Sequence, residues 1–239
     1  VTLTKQSVQI EDLDGTFIHR ESYHVEMDAD AVGKGTYPHY MLKEIDEQPA
    51  VMRLLLNEYV AVDGELKIDS ALLSAMNDAD RLYIVAAGTS YHAGLIGKTL
   101  FETLTHKPVE VHVASEFGYH MPLLSEKPFF IFLTQSGETA DSRQVLVQTN
   151  ALHYPSLTIT NSQGSTLSRE ADYTLLLHAG PEIAVASTKA YTAQIAVELF
   201  LAVALGRHNQ LVLAEQFDVH HELGLVAAGM EALLSEKEQ

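Results

Sequence analysis

The sequence contains no cysteine and few basic residues. Without cysteine the chain can form no disulfide and has no thiol nucleophile, which favours a cytoplasmic protein. Its 15 lysine and arginine residues stand against 32 aspartate and glutamate residues, so the formal net charge is −17. Such a surface repels nucleic acid and anionic membranes, and we expect neither as a partner. An acidic protein can still bind phosphate locally, through backbone N–H groups, hydroxyls and helix dipoles.

Long apolar runs are also missing. No run of 18 uncharged apolar residues occurs, so the sequence predicts no transmembrane helix. The polar start, VTLTKQSVQIEDLDG, lacks the apolar core of a signal peptide. Hydrophobic residues nevertheless make up 46% of the 239 residues, enough for a sizeable core within one large domain or a domain with an appendage.

The first quarter of the chain divides into three parts. Residues 1–27 alternate between polar and apolar side chains, and an Asp-Gly pair at residue 14 is a strong hairpin signal. We therefore predict an N-terminal β-hairpin, followed by a linker over 28–37. Residues 38–59 have the apolar spacing of a helix, and we expect a break at Pro49 because proline cannot donate the helical hydrogen bond.

From residue 81 onward, short apolar strands alternate with helical stretches. The strand-like runs are LYIVAA, VEVHVA, FFIFLT, LTIT and YTLLL, and the helical stretches are 90–104, 138–153, 165–171, 188–205 and 211–234. Apolar strands that alternate with helices are typical of a parallel sheet covered on both faces. The sequence therefore predicts an α/β fold, with a doubly wound, five-stranded parallel sheet flanked by helices.

Three strand-to-helix junctions carry hydroxyl groups: GTS at 88–90, TQSGET at 134–139 and VAST at 185–188. In open α/β sheets, ligands bind at the carboxyl ends of the strands, next to helix N-termini. The alternative is that Ser90, Ser136 and Ser187 are ordinary N-caps. TQSGET offers four side-chain donors within six residues, about as many as a phosphate needs, so we favour a binding site there. For the other two junctions both interpretations stay open.

Two further features have ordinary explanations. Lys189, in the first turn after VAST, could contact an anion, but such a lysine is more often an ordinary surface residue or a partner of Glu182. His220 and His221 are adjacent, and adjacent residues on a helix point apart, so we expect a solvated face and no metal site.

At these junctions the chain resembles the sugar isomerase (SIS) family and, within it, the glucosamine-6-phosphate synthases. The matching stretches are GTYPHYMLKEIDEQP (35–49), AAGTSYHAG (86–94), ASEFGYH (114–120), TQSGETADS (134–142), TITNSQGSTLSREAD (158–172) and GPEIAVASTKAYTAQ (180–194). They follow the family's order and cover most of the chain. The 35–49 stretch is the most specific, because generic SIS proteins do not carry it.

The resemblance implies a sugar-phosphate site and no cofactor, metal or catalytic residue in this chain. The residues that match the family's contacts to the sugar phosphate are Thr89, Ser90, Thr134, Gln135, Ser136, Thr139, Val185 and Ser187. Two departures from the family pattern are visible. Ala87 stands where cysteine is common, and Thr134 stands where serine is common, which keeps the hydroxyl.

The resemblance also implies a domain organisation and an activity. Residues 1–27 would be the last strands of a glutaminase domain, 28–37 the interdomain linker, and 38–239 a helical lead-in with the first of two SIS lobes. The family makes glucosamine 6-phosphate and glutamate from fructose 6-phosphate and glutamine. We expect this chain to be a middle piece of such an enzyme, inactive alone, whose partners are the glutaminase domain, the second lobe and a second copy in a homodimer.

Two alternatives within the SIS family stay open. One is another phosphosugar enzyme, such as an isomerase or deglycase. The other is the sugar-phosphate-sensing module of a regulator. The 35–49 stretch argues against the first, and the acidic flanks argue against a DNA-binding regulator.

Overall fold

The computed structural model describes residues 1–21 and 32–236. The chain divides into two compact units, Val1–Gly33 and Lys34–Gln239. In the first unit, strands β1 (Thr2–Leu3) and β2 (Val8–Gln9) pair antiparallel. The prediction of an N-terminal hairpin is therefore confirmed, whereas the last strand-like residues, 22–27, lie outside the described part.

The Asp-Gly signal marks a real turn. Glu11 and Phe17 form an antiparallel bridge on either side of it. Inside the turn, the Asp12 carboxylate accepts hydrogen bonds from the N–H groups of Asp14 at 3.0 Å and Thr16 at 2.8 Å. This side-chain bonding reverses the chain locally, as Asx turns do.

The second unit contains the predicted five-stranded parallel sheet. Its strands are β3 (Arg81–Ala86), β4 (Val109–Val113), β5 (Pro128–Leu133), β6 (Ser156–Thr160) and β7 (Tyr173–Leu176). They lie in the order β4-β3-β5-β6-β7, and all neighbouring pairs are parallel. The helices are α1 (Tyr40–Tyr59), α2 (Ser70–Asp78), α3 (Thr89–Thr105), α4 (Ala114–Tyr119), α5 (Ala140–Ala151), α6 (Thr166–Glu170), α7 (Lys189–His208), α8 (Val212–Glu215) and α9 (Val219–Ser235). The prediction of a doubly wound α/β fold is confirmed.

Side chains of the central strands alternate between two hydrophobic cores, because successive residues of a strand point to opposite faces. In β3, Leu82 and Ile84 lie in the larger core, to which α1, α2, α3, α7 and α9 contribute. Tyr83 and Val85 lie in the smaller core with residues of α4, α5 and α6. Burial on both faces explains why these strands appear in the sequence as unbroken apolar runs.

The strand order creates a crevice at one end of the sheet. Strand β3 lies between β4 and β5. The chain leaves β3 toward β4 on one side and leaves β5 toward β6 on the other. The connections at their carboxyl ends therefore diverge, and such a switch point is where open α/β sheets bind ligands.

Helix α1 runs unbroken through Pro49, so the predicted break is wrong. Proline has no N–H to donate to the carbonyl four residues earlier, which here belongs to Ile45. The side chain of Gln48 donates from Nε2 to that carbonyl at 3.2 Å and replaces the missing bond. Pro49 itself is buried, and its apolar contacts help to offset the cost of the missing N–H.

The predicted helix over 211–234 is also wrong, because the structure has two helices there, α8 and α9. Asp218 starts α9 by accepting a hydrogen bond from the N–H of His221 at 2.9 Å. Such an N-cap favours a new helix over continuation of the old one. Arg207 of α7 donates to the carbonyl of Phe217 at 3.0 Å and holds the connection between them. The sequence did not predict α2 or α4, which are short.

Helix α7 is, within the described residues, the one helix long and apolar enough to cross a membrane. Its most apolar stretch is 78% buried inside the second unit. It contributes Val197, Phe200 and Leu201 to the larger core. A buried core helix passes the same test of length and composition, so α7 gives no support to a membrane span.

Candidate functional site

The TQSGET elbow joins β5 to α5 and gathers hydroxyl groups at the carboxyl end of the sheet. Thr134 Oγ1 lies 3.2 Å from Thr139 Oγ1 and accepts a hydrogen bond from the N–H of Gly137 at 3.2 Å. Ser136 Oγ accepts from the N–H of Glu138 at 3.2 Å. The Ser136 hydroxyl therefore keeps its proton for another acceptor, as does one hydroxyl of the threonine pair.

Gly137 determines the shape of this elbow. It has φ +69°, and a Cβ added to it would lie 1.9 Å from Ser165 Oγ. The elbow is tied to α6 by two hydrogen bonds, from Leu167 N–H to the Gly137 carbonyl at 3.0 Å and from Thr166 N–H to Glu138 Oε1 at 2.8 Å. Hydrogen bonds from the side chain and backbone of Thr166 lower the pKa of the exposed Glu138 carboxyl. The elbow is thus held in one conformation by the first turn of α6.

The second predicted junction lies at the start of α3. Gly88, with φ +58°, turns the chain out of β3, and Thr89 and Ser90 form the first helical turn. Ser90 is buried, and its Oγ accepts a hydrogen bond from Gln194 Nε2 of α7 at 2.8 Å. This bond occupies a lone pair of the serine oxygen and leaves its proton available.

The third predicted segment is the loop that precedes α7, and Glu44 of α1 holds it. Glu44 is 1% exposed. One of its carboxylate oxygens accepts hydrogen bonds from the N–H groups of Ile183 at 2.6 Å and Ala184 at 3.1 Å. This contact positions the loop directly before Val185, which is fully exposed, and Ser187.

Glu182 and Lys189 stabilise the other end of this loop, in ways the sequence did not predict. Glu182 Oε1 accepts from the N–H groups of Thr188 at 2.9 Å and Ala190 at 3.2 Å, so it occupies the N-terminus of α7. Lys189 is 3% exposed and pairs with Glu47 of α1 at 2.7 Å. Both ordinary explanations of Lys189 are therefore wrong, since it is neither a surface residue nor a partner of Glu182. It also lies outside the cavity described next.

One cavity of about 440 Å³ brings the three segments together at the carboxyl ends of β3 and β5. All the residues predicted from the sequence line it. They are Thr89, Ser90, Thr134, Gln135, Ser136, Thr139, Val185 and Ser187. The backbone of the same turns completes the wall, including Gly88 and Ala186. The placement of these residues is a feature of the structure, and their binding of a ligand stays a prediction.

The three serines do not act as N-caps. The N-cap residues of α3, α5 and α7 are Gly88, Thr139 and Thr188, and these three make no side-chain capping bond. The capping alternative is therefore wrong. The first N–H groups of a helix have no partner within the helix, so those of α3 and α5 can serve a ligand in the cavity.

The hydrogen-bond donors of the cavity are neutral groups. Among its described lining residues there is no lysine, arginine or histidine. The lining includes the carboxylate of Glu182, which is occupied by the two N–H groups at the start of α7. An anion here would be held by hydroxyls and by the N-termini of α3 and α5, whose dipoles favour negative charge.

Other places in the molecule offer less to a ligand. Within residues 1–21 and 32–236, no cluster of three or more histidine, aspartate or glutamate side chains could hold a metal ion. His220 and His221 are both exposed on α9, as predicted for a solvated face. A hollow of about 730 Å³ lies within the first unit, but nearly all of its lining residues are exposed, so it would bury little of a ligand.

Residues 75–204, more than half of the chain, match the SIS domain family. The chain belongs to the SIS domain family. The solved C-terminal domain of glucosamine-fructose-6-phosphate aminotransferase from Francisella tularensis is similar in structure to this chain. The two superimpose with a TM-score of 0.73 at 32% identity, over 85% of this chain and 56% of that one.

Curated relatives narrow the position of the chain within the SIS family. Glutamine–fructose-6-phosphate aminotransferase (isomerizing) of Streptococcus mutans is 61% identical over 238 residues, which cover 100% of this chain and 39% of that protein. The protein of the same name from Lactococcus lactis is 61% identical over 239 residues, or 100% of this chain and 40% of that protein. The resemblance inferred from the motifs is thereby confirmed. The chain spans about two fifths of the length of these relatives.

Sequence reasoning missed the residues that hold the walls of the cavity in place. Glu44 and Glu182 lie within the family-like stretches 35–49 and 180–194, so the sequence did indicate that these regions belong to the site. Their roles were not readable, because a carboxylate that accepts backbone N–H groups looks in sequence like any surface acid. Gln194 is the last residue of the second stretch, so the sequence indicated its region but not its contact with Ser90.

Proposed function

We propose that this chain forms the sugar-phosphate-binding part of a glutamine–fructose-6-phosphate aminotransferase, which makes glucosamine 6-phosphate and glutamate. One observation carries the proposal. Three junctions far apart in sequence converge on one cavity lined with neutral hydrogen-bond donors. They do so in a chain that is 61% identical, over its whole length, to proteins of that name.

The phosphate group would lie among the hydroxyls of Ser90, Thr134, Ser136 and Thr139, next to the N-termini of α3 and α5. Free hydroxyl protons and helix N–H groups provide the donors that a phosphate requires. The sugar would extend toward the loop before α7, which carries Val185 and Ser187. Burying the phosphate at a fixed point would hold the carbon chain in one register, and such positioning is a large part of catalysis.

The proton transfer of the reaction requires a base that can reach the sugar carbons. Among the described lining residues the ionisable group is Glu182, and its Oε1 already accepts two backbone N–H groups. We therefore assign binding and positioning to this chain, and assign the base to a part of the full-length protein outside these residues. On this proposal the isolated chain does not turn over, and synthesis of glucosamine 6-phosphate by the purified chain would contradict it.

The wider organisation belongs to the same proposal. Residues 1–27 would end a glutaminase domain, 28–37 would be the linker, and 38–239 would hold the first SIS lobe, which meets a second lobe in the full-length protein. A cytoplasmic location and a homodimer also stay predictions. Sedimentation of the full-length protein would test the dimer.

Calorimetric titration of glucosamine 6-phosphate into the chain, in buffer free of phosphate and sulfate, tests the binding proposal. We expect binding of the phosphosugar and none of unphosphorylated glucosamine. The double variant Ser136→Ala/Thr139→Ala removes two hydroxyls from the elbow. Each hydrogen bond to a charged group contributes about 1.5–3 kcal/mol, so affinity should fall by at least about 100-fold.

Ser74→Ala provides a matched control, because this serine is exposed on α2, where its hydroxyl donates to the Ser70 carbonyl. It should bind like the wild type. Equal affinity for the phosphorylated and unphosphorylated sugars would contradict a phosphate site. So would a double variant that binds as tightly as the control.

A further inference from the structure

Two buried polar side chains on one face of α7 have unused hydrogen-bonding groups. Gln194 is 1% exposed and Glu198 is fully buried. They are four residues apart, so they are neighbours on the helix surface. Gln194 Oε1 and both carboxyl oxygens of Glu198 have no hydrogen-bond partner among the described residues. Buried polar atoms are nearly always paired, so these two side chains require an explanation.

The surroundings of Glu198 favour a neutral carboxyl group. Gly97 of α3 faces it so closely that a Cβ at that position would lie 2.1 Å from Glu198 Oε1. The carboxyl therefore fills a notch that exists because residue 97 has no side chain. Burial raises the pKa of Glu198 well above its usual range. A protonated carboxyl carries an O–H donor, and the unpaired acceptor one helical turn away is Gln194 Oε1.

Gln194 connects this carboxyl to the cavity. Its Nε2 donates to Ser90 Oγ at 2.8 Å. If Oε1 of the same amide accepts the proton of Glu198, both ends of the amide are paired and its orientation is determined. The Ser90 oxygen is then an acceptor toward the protein, and its own proton is left for a ligand in the cavity.

We propose that Glu198, acting through Gln194, orients the Ser90 hydroxyl as a hydrogen-bond donor to the phosphate of the bound sugar. Glu198 is a positioning residue, since it lies behind the cavity and outside its lining. The inference rests on the proposed function of the cavity. An ionised Glu198 would have the opposite effect, because the amide would turn its NH₂ to the carboxylate. Its carbonyl would then take the Ser90 proton.

Two substitutions of Glu198 separate this role from a purely structural one. Glu198→Leu has a similar volume and no donor, and we expect about tenfold weaker binding of glucosamine 6-phosphate. The substitution leaves the buried Gln194 Oε1 without a donor, which lowers the free energy of unfolding, and we expect the fold to tolerate this loss. Glu198→Gln offers an amide N–H to Gln194 Oε1 and should bind within about twofold of the wild type. A purely structural role predicts instead that any loss of affinity follows a loss of stability, so urea unfolding of both variants accompanies the titration.

The double variant shows whether the effect passes through Ser90. In the Ser90→Ala background, Glu198→Leu should cause no further loss of affinity, since coupled residues are not additive. Additive losses would overturn the relay. So would a Glu198→Leu variant that binds as tightly as the wild type, while the proposed function would stand. A wild-type chain that binds no phosphosugar would refute the proposed function and the relay with it.

A measurement without ligand tests the protonation state independently. The infrared difference spectrum between the wild type and Glu198→Gln at pH 7 should show the carbonyl band of a protonated carboxyl. A carboxylate band in its place would overturn the relay, whatever the affinity of the cavity for sugars.

Discussion

Replacing Gly137 by alanine tests whether one backbone position determines the shape of the TQSGET elbow. The residue has φ +69°, and an added Cβ would lie 1.9 Å from Ser165 Oγ and 2.4 Å from Ser165 Cβ. The left-handed conformation costs a residue with a side chain about 1–2 kcal/mol. Overpacking at a close contact adds about 1–3 kcal/mol. We therefore expect the free energy of unfolding to fall by about 2–5 kcal/mol.

Gly64→Ala is a matched control. Gly64 has φ +85°, but an added Cβ there would meet no atom within 4 Å. The control should lose only the conformational term, about 1–2 kcal/mol. Both substitutions reduce the entropy of the unfolded chain equally, so this contribution cancels between them. The difference between the two variants, about 1–3 kcal/mol, then measures the steric contact with Ser165.

The assay is equilibrium unfolding in urea, followed by circular dichroism, on the wild type and both variants. The same proteins should be titrated with glucosamine 6-phosphate. Gly137→Ala should weaken binding more than tenfold, whereas Gly64→Ala, which is remote from the cavity, should leave it unchanged. Equal losses of stability in the two variants would refute the reasoning, because Ser165 would then be able to move aside without cost.

Three further substitutions test the contacts that α1 makes with the loop before α7, with β7 and with α7. Glu44→Ala leaves two backbone N–H groups of the loop without an acceptor, so we expect a loss of about 1–3 kcal/mol in the free energy of unfolding and weaker phosphosugar binding. Thermal unfolding and calorimetry measure the two effects. The control, Glu58→Ala, lies at an exposed position of the same helix and should change neither. The Tyr59 hydroxyl donates to the backbone of β7 at 2.7 Å and accepts from it at 3.0 Å, so Tyr59→Phe should cost about 1–3 kcal/mol in urea unfolding. Burial raises the pKa of Tyr59 to about 12, so its contribution to stability is complete below its ordinary pKa, near 10, and is lost as the pH rises to about 12. The variant should therefore lose about 3 kcal/mol less across that window, and identical pH profiles would contradict this. Lys189→Met removes the buried partner of Glu47. The free energy of unfolding in urea should fall by about 2 kcal/mol, a value between those of exposed and buried ion pairs. An unchanged midpoint would show that the pair contributes nothing to stability.

The correct predictions of the central strands and of the elbow after β5 share one physical basis. Strands β3 and β5 are buried on both faces, so their sequences are continuous apolar runs that no other element explains as well. The elbow after β5 was readable for a related reason. Hydroxyl-bearing residues around a glycine, placed between a buried strand and a helix, fall at the carboxyl edge of a parallel sheet in any fold of this class.

The signals that failed depended on side chains that meet only after folding. Pro49 predicts a helix break from its own chemistry, but the Gln48 amide supplies the missing donor and the core buries the ring. Lys189 has a glutamate seven residues earlier in sequence, yet its partner is Glu47, from a helix more than a hundred residues away. Neither outcome follows from residue spacing, because both depend on which helix packs beside which.

The sequence by itself determined the parallel sheet and picked out the three hydroxyl-bearing junctions, because these follow from apolar periodicity and hydroxyl-rich turns. The shortage of basic residues predicted that the donors at these junctions would be neutral. Only the tertiary structure decided that the three junctions line one cavity. It also decided that Glu44 and Gln194 support that cavity from behind, and that a buried carboxyl lies against Gly97. The physical reason is that periodicity encodes which face of an element is buried, whereas the packing of distant helices determines which polar groups meet there.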